Sequence, residues 1–263
     1  MIMKNIELKV LKSDFDVNLD MALDMLGVIM ENNRAGKRTV FIVPVGPTKQ
    51  YPILAGMVNK LHVSLKDVWF FNMDEYLVSP DEVISPEHFL SFHKRMNDEF
   101  YSQVHKNLIM PEEQRLFPVP GKEMEYDALL ESLGGPDVCY GGIGINGHIA
   151  FNEAVDADDP ITVEKFAALG SRVLPITRET IAINGAAYLR GDIASMPKWC
   201  ITIGMKQILS AKRIYLSLGA AWHPGILKRI LTEEPQPQIP ATLLQRHGNV
   251  LFCTNEEITK DIF

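Results

Sequence analysis

The sequence has few cysteines and no long hydrophobic run. Its three cysteines, Cys139, Cys200 and Cys253, stand singly in apolar stretches, without the close spacing of a zinc site or a disulfide framework. Buried free thiols are the expected reading, and they fit a reducing cytoplasm. No apolar run approaches the ~20 residues of a membrane span, and the N-terminal residues lack the apolar core of a signal peptide. We therefore expect a cytoplasmic protein with no membrane partner.

Positive charge is not in excess either. The formal net charge is -7, which argues against nucleic acid because binding to a phosphate backbone needs a basic face. No cluster with metal-ligand spacing stands out, and the glycine-rich turn lacks dinucleotide spacing with an acidic residue ~20 positions further on. We therefore expect no metal and no cofactor, and a small molecule as the partner.

The composition is that of a single folded domain. Hydrophobic residues make up 46% and charged residues 22% of the 263-residue chain, which is ordinary for a globular protein. Internal repeats and low-complexity segments are missing. The length suits one large α/β domain, so one domain over residues 1–263 is expected.

Short apolar runs alternate with longer helix-like stretches, a pattern typical of parallel strands joined by crossover helices. The predicted strands are residues 39–45, 68–73, 137–143, 199–203, 214–218 and 250–254. The predicted helices are residues 14–33, 47–61, 86–105, 123–132 and 222–231. The expected fold is a doubly wound, Rossmann-like, three-layer α/β/α sandwich with a mostly parallel sheet. The least regular stretch, residues 154–190, is a candidate lid.

Ligands of open parallel sheets bind beyond the carboxyl ends of the strands, so the residues that follow each predicted strand come first. Gly46, Thr48 and Lys49 lie in a tight turn that opens a helix. Free N–H groups and the helix dipole favour an anion there, and a hydroxyl and a charge add to it. Because Gly-Pro before a helix is also a common structural turn, both readings stay open.

Two adjacent carboxylates, Asp74 and Glu75, follow a strongly apolar predicted strand. One reading is catalysis. In the other, Asp74 caps a following turn and Glu75 is solvated, as acidic residues after strands usually are.

A glycine-rich turn follows the strand predicted at residues 137–143. Its glycines, Gly144 and Gly147 among them, allow a sharp turn and close approach to a ligand. His148 and Glu153 follow within the same segment and are suited to proton transfer on a small polar substrate. The alternative is a structural histidine.

Together these segments resemble the glucosamine-6-phosphate deaminase (isomerase) family, which is related to the 6-phosphogluconolactonases. The resemblance rests on Phe71 to Tyr76 (FNMDEY), Gly142 to Glu153 (GIGINGHIAFNE), Pro197-Lys198 with the strand after it, and Ile239 to His247. It extends over essentially the whole chain, and the Phe-Asn-Glu ending of the second motif is deaminase-like rather than lactonase-like.

The resemblance implies a metal-free aldose–ketose isomerisation coupled to loss of ammonia, on a sugar or sugar phosphate, in a homo-oligomer. Asp74 falls at the general base that moves a proton between C2 and C1. His148 falls at the ring-opening acid/base, and Glu153 at a carboxylate that supports it.

The chain departs from the family at the residue beside the histidine. Asn146 stands where relatives usually have an aspartate. An asparagine orients the imidazole through its carbonyl but does not stabilise the imidazolium electrostatically. We expect slowed ring opening, or a substrate that needs less of it.

The phosphate site departs further. By the resemblance, an arginine and a lysine that contact phosphate fall at Ala186 and Trp222. Either nearby cations have taken over the anion, or Trp222 marks a pocket for an uncharged group and the substrate is unphosphorylated. The candidate cations are Lys49, Arg190, Lys198 and His223.

Three functions remain open from the sequence. The first is a sugar or amino-sugar (phosphate) isomerase/deaminase with an altered pocket. The second is hydrolysis of a sugar lactone, with His148 activating water. The third is a non-catalytic sugar-binding sensor, which Asn146 and the missing cations favour and Asp74 and Glu153 oppose.

Overall fold

The computed structural model describes residues 2, 3, 5–260 and 262, and two sheets organise them. The strands are β1 (Ile2–Met3), β2 (Ile6–Leu11), β3 (Thr39–Val43), β4 (Val68–Asn72), β5 (Asp74–Ser79), β6 (Glu82–Val83), β7 (Arg115–Leu116), β8 (Val138–Gly142), β9 (Arg172–Pro175), β10 (Trp199–Thr202), β11 (Arg213–Leu218) and β12 (Val250–Asn255). The main sheet has the order β1-β2-β12-β11-β8-β3-β4-β7. Its neighbours run parallel, apart from the antiparallel edge pair β1 and β2.

Helices cover both faces of this sheet. They are α1 (Asp14–Arg34), α2 (Gln50–Leu61), α3 (Phe92–Met96), α4 (Glu123–Ser132), α5 (Val163–Ala167), α6 (Arg178–Tyr188), α7 (Met205–Leu209), α8 (His223–Thr232) and α9 (Glu256–Thr259). Successive side chains of a strand point to opposite faces, so in β3 Phe41 belongs to the core cluster that contains the buried residues of α1 and α2, while Ile42 belongs to the cluster that contains those of α4, α7 and α8. The predicted doubly wound three-layer sandwich is therefore confirmed. None of the helices in the described ranges has the length and apolarity needed to cross a membrane.

A second, smaller sheet has the order β6-β5-β10-β9 and is antiparallel throughout. The strand predicted at residues 199–203 was expected in the parallel sheet, and this is wrong, because β10 pairs with β5 and β9. An apolar run indicates burial but does not reveal strand direction. Met73 alone separates β4 of the main sheet from β5, and its N–H and C=O bond to Val43 and Ile203.

The helix predicted over residues 86–105 is also wrong in its first part. Residues 86–91 form turns, and α3 begins at Phe92 and continues into a π-helical turn at Asn97–Tyr101. The Ser91 hydroxyl caps the helix by accepting from the Lys94 N–H. Strands β2 and β5 were not predicted, and the irregular stretch 154–190 contains α5, β9 and α6. One domain over residues 1–263 stays a prediction, and positions 1, 4, 261 and 263 lie outside the described residues.

Candidate active site

The candidate site lies at the carboxyl ends of β8, β3 and β4, which are neighbours in the main sheet. The chain leaves β3 toward β4 on one side, while β8 lies on the other, and this arrangement marks the crevice where doubly wound sheets bind ligands. The turn after β3 touches the end of β8, because a Cβ added to Gly142 would lie 3.3 Å from Pro47 Cδ. All three predicted strand ends therefore meet at one edge.

Asp74 is the first residue of β5 and is only 6% exposed. No described residue donates a hydrogen bond to its carboxyl oxygens. Burial, helped by the neighbouring charge of Glu75, raises the pKa of Asp74 well above its ordinary value. The carboxyl group thus keeps its lone pairs for a ligand, and it is not the cap of a turn.

Glu75 is the opposite case, although it is the next residue. Its carboxylate accepts the backbone N–H groups of Tyr76, Phe92 and His93 and the hydroxyl of Ser91. Burial raises its pKa, and these hydrogen bonds partly offset the increase. The solvated Glu75 of the alternative reading is wrong, since the side chain is 1% exposed and caps α3.

The loop after β8 is shaped around the imidazole of His148. The Gly144 N–H bonds to the His148 carbonyl at 2.9 Å. A Cβ on Gly144 would lie 2.0 Å from the ring atoms Cε1 and Nε2. Gly147 has a φ of +85°, and a Cβ there would lie 2.6 Å from Ile239 Cγ2. Both glycines are therefore sterically required, whereas their contact with substrate stays a prediction.

Asn146 bridges His148 and Glu153. Its Oδ1 lies 2.8 Å from His148 Nδ1, and its Nδ2 donates to Glu153 Oε2 at 2.8 Å. Glu153 Oε2 also lies 3.1 Å from His148 Nδ1. Because both neighbouring oxygens accept, Nδ1 carries the proton and Nε2 is the ring atom available to a substrate. The amide therefore has the orienting contact that the sequence predicts.

The carboxylate of Glu153 is buried and anionic. Burial alone raises its pKa, but the charge of His148 and hydrogen bonds from His148, Asn146 and Thr180 lower the pKa to about 2. All these contacts involve Oε2, whereas Oε1 is buried and has no partner among the described atoms. The histidine thus sits beside a fixed negative charge.

Two threonines that sequence reasoning missed complete the site. Thr177 and Thr180 donate their hydroxyl hydrogens to Glu153 Oε2 at 3.0 and 3.1 Å. Asn184, one turn further along α6, donates to the Tyr76 hydroxyl at 3.0 Å. The spacing of Thr177, Thr180 and Asn184 places them on one face of a helix, and this sequence pattern could have identified them as a group. The predicted lid stretch therefore reaches the site through α6.

The small sheet brings the His148 loop to Asp74. The Phe151 N–H donates to Thr202 Oγ1 at 3.0 Å, and Thr202 lies opposite Asp74 in the β10–β5 ladder. Asn152 donates to the Ile203 carbonyl at 2.9 Å. The residues predicted to transfer protons are thus brought together because one loop is fastened to the strand that pairs with β5.

Arg172 is a buried cation that the sequence prediction did not include. It lies in β9 opposite Thr202, and its guanidinium donates to Asn152 Oδ1 at 2.8 Å. Burial lowers its pKa. It holds the Phe-Asn-Glu segment in place.

The turn predicted to bind an anion follows β3 at the carboxyl edge of the main sheet. Gly46 is exposed, and an added Cβ would meet nothing within 4 Å. The Thr48 carbonyl accepts the Tyr51 N–H, which starts α2. Lys49 Nζ lies 3.4 Å from Asp14 Oδ2.

Trp222 immediately precedes α8, and its indole Nε1 is buried without an acceptor in the described part of the chain. The next residue, His223, uses both ring nitrogens. Nδ1 accepts the Ala220 N–H, and Nε2 donates to the Ile143 carbonyl. Burial lowers its pKa. His223 is therefore a neutral structural histidine, and not the replacement cation.

Lys198 does not lie at the site, although substrate binding was predicted for it. It is exposed and donates to the Ile193 carbonyl at 3.2 Å. Because Thr202 pairs with Asp74, Lys198 lies four strand positions away, about 13 Å at ~3.3 Å per residue. Closeness along the sequence misled the prediction. Arg190 and Ala186 are both exposed, at the end of α6 and on it.

No group of three or more His, Cys, Asp or Glu side chains within residues 2, 3, 5–260 and 262 is arranged to hold a metal ion.

No family model matches the chain. Individual proteins do, and two of them are similar over most of their length. The chain is 30% identical over 237 residues to glucosamine-6-phosphate deaminase of Rhodopirellula baltica, covering 88% of this chain and 87% of the relative. It is also 30% identical over 220 residues to the Staphylococcus aureus enzyme of the same name, covering 82% and 81%.

Two solved structures have a similar fold. A glucosamine-6-phosphate deaminase described as monomeric superposes with a TM-score of 0.81 at 24% identity, over 97% of this chain and 99% of its own. A 6-phosphogluconolactonase from Thermotoga maritima gives 0.66 at 14% identity, over 95% and 100%. At these identities the superpositions establish the fold alone.

Proposed function

Because the chain belongs to the glucosamine-6-phosphate deaminase family, we propose that it is an aldose–ketose isomerase that releases ammonia from an amino sugar or its phosphate. One observation carries the proposal. A buried carboxyl group to which no described residue donates a hydrogen bond, Asp74, faces a loop whose histidine has one nitrogen fixed and the other available.

Ring opening comes first, because a closed sugar has no carbonyl group. His148 Nε2 exchanges a proton with the ring oxygen and the anomeric hydroxyl. Glu153 stabilises the imidazolium that forms, and Asn146 keeps the proton on Nδ1. The role of Gly144 is to allow the ring of His148 its position.

Isomerisation and deamination follow. The Asp74 carboxylate takes the C2 proton while the C1 carbonyl oxygen gains a proton that the substrate ammonium group gives up, which forms an enediol-type enolamine; Asp74 then delivers its proton to C1, and an iminium remains at C2. Water adds to that carbon, ammonia leaves, and a ketose remains. A raised pKa suits this role because it makes the Asp74 carboxylate a stronger base than an ordinary carboxylate.

Helix α6 is proposed to be the mobile part of the lid. Strand β9 is held in the small sheet, and the Ser171 hydroxyl is bonded to Asp127. The polar contacts of α6 with the site are side-chain hydrogen bonds from Thr177, Thr180 and Asn184. Their release would open the site while the sheet stays intact.

The experiment is exchange of the C2 proton with deuterated solvent, followed by NMR across aldoses, amino sugars and their 6-phosphates. Exchange on at least one amino sugar, together with ammonia release, supports the proposal. Its loss in Asp74→Asn assigns the base. Absence of exchange across the whole panel contradicts the proposal.

Two other functions each have one observation in their favour. Asn146 in place of an acid favours a sugar sensor, which would show ligand-induced thermal stabilisation that persists in Asp74→Asn without product. The fold shared with a lactonase favours lactone hydrolysis, against the deaminase-like Phe151-Asn152-Glu153 ending. Measuring lactone hydrolysis alongside ammonia release separates the two chemistries.

A further inference from the structure

One face of α6 contacts two separate segments of the candidate site. Near the start of the helix, Thr177 and Thr180 donate to Glu153 Oε2. One turn further along, Asn184 Nδ2 donates to the Tyr76 hydroxyl at 3.0 Å. Residues at these spacings lie on the same side of a helix. Helix α6 therefore connects the loop after β8 to strand β5.

Tyr76 shares a face of the small sheet with Asp74. The two residues are two positions apart in β5, and side chains at this spacing point to the same side of a strand. Because the Tyr76 hydroxyl bonds to Asn184, α6 lies over the face from which the Asp74 carboxyl group projects. The helix is thus placed to keep water from that carboxyl group.

A thiol on this face lies near both carboxyl groups of the candidate site. Cys200 is directly opposite Tyr76 in the β10–β5 ladder and is fully buried. Burial raises the pKa of the Cys200 thiol, and the charges of Asp74 and Glu153 raise it further. Both carboxyl groups are therefore close enough for their charges to act on one side chain. Since α6 bonds to Glu153 and to the neighbour of Asp74 on β5, one helix covers them both.

The ring of Tyr76 also packs toward His148. Its centroid lies 5.4 Å from that of Phe151, and the Phe151 centroid lies 6.3 Å from that of the His148 ring. Asn184 fixes the hydroxyl end of the Tyr76 ring. A shift of this ring would therefore disturb the strand that carries Asp74 and the loop that carries His148.

We infer that Asn184 is a positioning residue for the proposed proton transfer: through Tyr76 it holds α6 over Asp74, so that the proton taken from C2 reaches C1 before water replaces it. The inference rests on the proposed function for its chemistry. The Asp74 carboxylate becomes a carboxylic acid when it takes the C2 proton, and a carboxylate again when it gives the proton to C1. A carboxylic acid in contact with water exchanges its proton with the solvent, and closure of a site prevents this leakage.

Deuterium at C2 of the substrate measures this leakage. Glucosamine and galactosamine, each with and without a 6-phosphate, are labelled at C2 and turned over in ordinary water. NMR of the ketose gives the ratio of deuterium retained at C1 to deuterium lost to the solvent. We expect wild type to retain about half of the label, because the closed site excludes water for part of the lifetime of the intermediate. The other half exchanges with the solvent.

Asn184→Leu removes the hydrogen-bond donor and keeps a branched side chain of similar size. The ratio of retained to lost label should fall about fivefold, as expected for the loss of one hydrogen bond that favours the closed site. The two threonine contacts of α6 with Glu153 remain, so the helix is loosened but not removed.

Tyr76→Phe removes the other partner of the same hydrogen bond and should lower the ratio by the same factor. The double variant of Asn184→Leu and Tyr76→Phe should then be no lower than either single variant, because both changes break one interaction. If the two effects multiply in the double variant, Asn184 and Tyr76 act independently, and the inference is wrong.

Asn59→Leu is the matched control. Asn59 lies in α2, and its Nδ2 donates to the Gln103 carbonyl at 2.8 Å, so this variant loses an amide hydrogen bond away from α6. It should lower the melting temperature without changing the ratio. If the ratio in Asn184→Leu equals that in wild type, or if Asn59→Leu lowers it equally, Asn184 does not position the proton transfer, and the inference is overturned.

Failure of the inference differs from failure of the proposed function. Ammonia release with complete loss of the label in wild type overturns the inference and leaves the isomerase intact. Absence of turnover on all four compounds contradicts the isomerase, and the inference is contradicted with it.

Discussion

At one end of the candidate site Asp74, His148 and Glu153 lie in chain segments that β10 fastens together, whereas at the other end Gly46 and Lys49 lie on an exposed turn. The first end depends on side chains that a core surrounds, so a change there disturbs packing as well as chemistry. At the second end a change meets open space or water. The exposed end therefore tolerates substitution more readily than the buried end.

The largest expected effect is at Asp74. Asp74→Asn removes the base and is expected to lower kcat for C2-proton exchange by about 10³-fold. A raised folded-state pKa means that Asp74 contributes stability below its unfolded pKa and loses it as the pH rises through the folded value. The variant should therefore be no less stable than wild type at neutral pH, as measured by thermal unfolding.

Glu75→Gln is the neighbouring control for Asp74→Asn. It weakens the cap of α3, so unfolding, and not proton exchange, is where its main effect should appear. Loss of exchange in Glu75→Gln with an unchanged melting temperature would break the distinction between the two carboxylates.

A pair of glycines compares the two ends directly. A methyl group on Gly144 would lie 2.0 Å from the His148 ring, so Gly144→Ala must move the imidazole, and we expect kcat to fall by about 10²-fold. Gly46→Ala meets nothing within 4 Å, and its stability should change by no more than about 0.5 kcal/mol. Thermal melts and exchange rates check both. If Gly144→Ala and Gly46→Ala lower the stability equally, the buried and exposed ends do not differ in their tolerance of substitution.

Acid titration sharpens the contrast between the carboxyl groups of Asp74 and Glu153. The pKa of Glu153 is lowered from 4.5 to about 2, so its contribution to stability is present above 4.5 and is lost as the pH falls toward 2. Wild type should lose about 5 °C more than Glu153→Gln across that window. Melting curves between pH 7 and 2 measure this difference in melting temperature. If the melting temperatures of the two proteins fall in parallel, Glu153 is not a charged partner of His148.

Asn146→Asp tests the departure from the family. A second carboxylate would favour the imidazolium and is expected to speed turnover of ring-closed sugars by about fivefold. It would also replace the donor that now reaches Glu153 Oε2 by an acceptor, so the melting temperature should fall. Asn146→Ala, which loses both contacts, should be slower than wild type. If Asn146→Asp turns over every accepted sugar at the wild-type rate, having asparagine instead of aspartate at this position does not affect catalysis.

The smallest effect is expected at Thr180. Thr180→Val removes one donor to Glu153 Oε2 while keeping the side-chain shape, so kcat should fall by about threefold. Thr180→Ser keeps the hydroxyl and should restore the rate. A Thr180→Val enzyme as fast as wild type would leave α6 without a part in positioning Glu153.

The meeting of the strand ends was predictable because it follows from the order of a parallel sheet. The turns around Gly46, Asp74 and His148 follow β3, β4 and β8, which are neighbours. Local patterns were sufficient there, since apolar runs identify buried strands and glycine identifies the turn.

The small sheet was not predictable from local patterns. Glu75 pairs with Ile201 in β10, which is far along the chain. Its capping of α3 also depends on a turn at residues 86–91, a stretch whose sequence pattern was interpreted as helical. Lys198 was predicted as one of several nearby cations that could take over the anion, but strand direction decides which end of β10 approaches Asp74. Thr180 was missed because its partner, Glu153, lies in a different segment.

Met73, the single residue between β4 and β5, also bears on the order of assembly. We expect Asp74 to reach its position only after β5 has paired with β10, because closing the long stretch of chain between these strands costs entropy before the contact forms. A chain that has formed only the main sheet would then lack the proposed site. Recovery of proton exchange during refolding should lag behind recovery of helical signal, so activity reports on the last contacts to form.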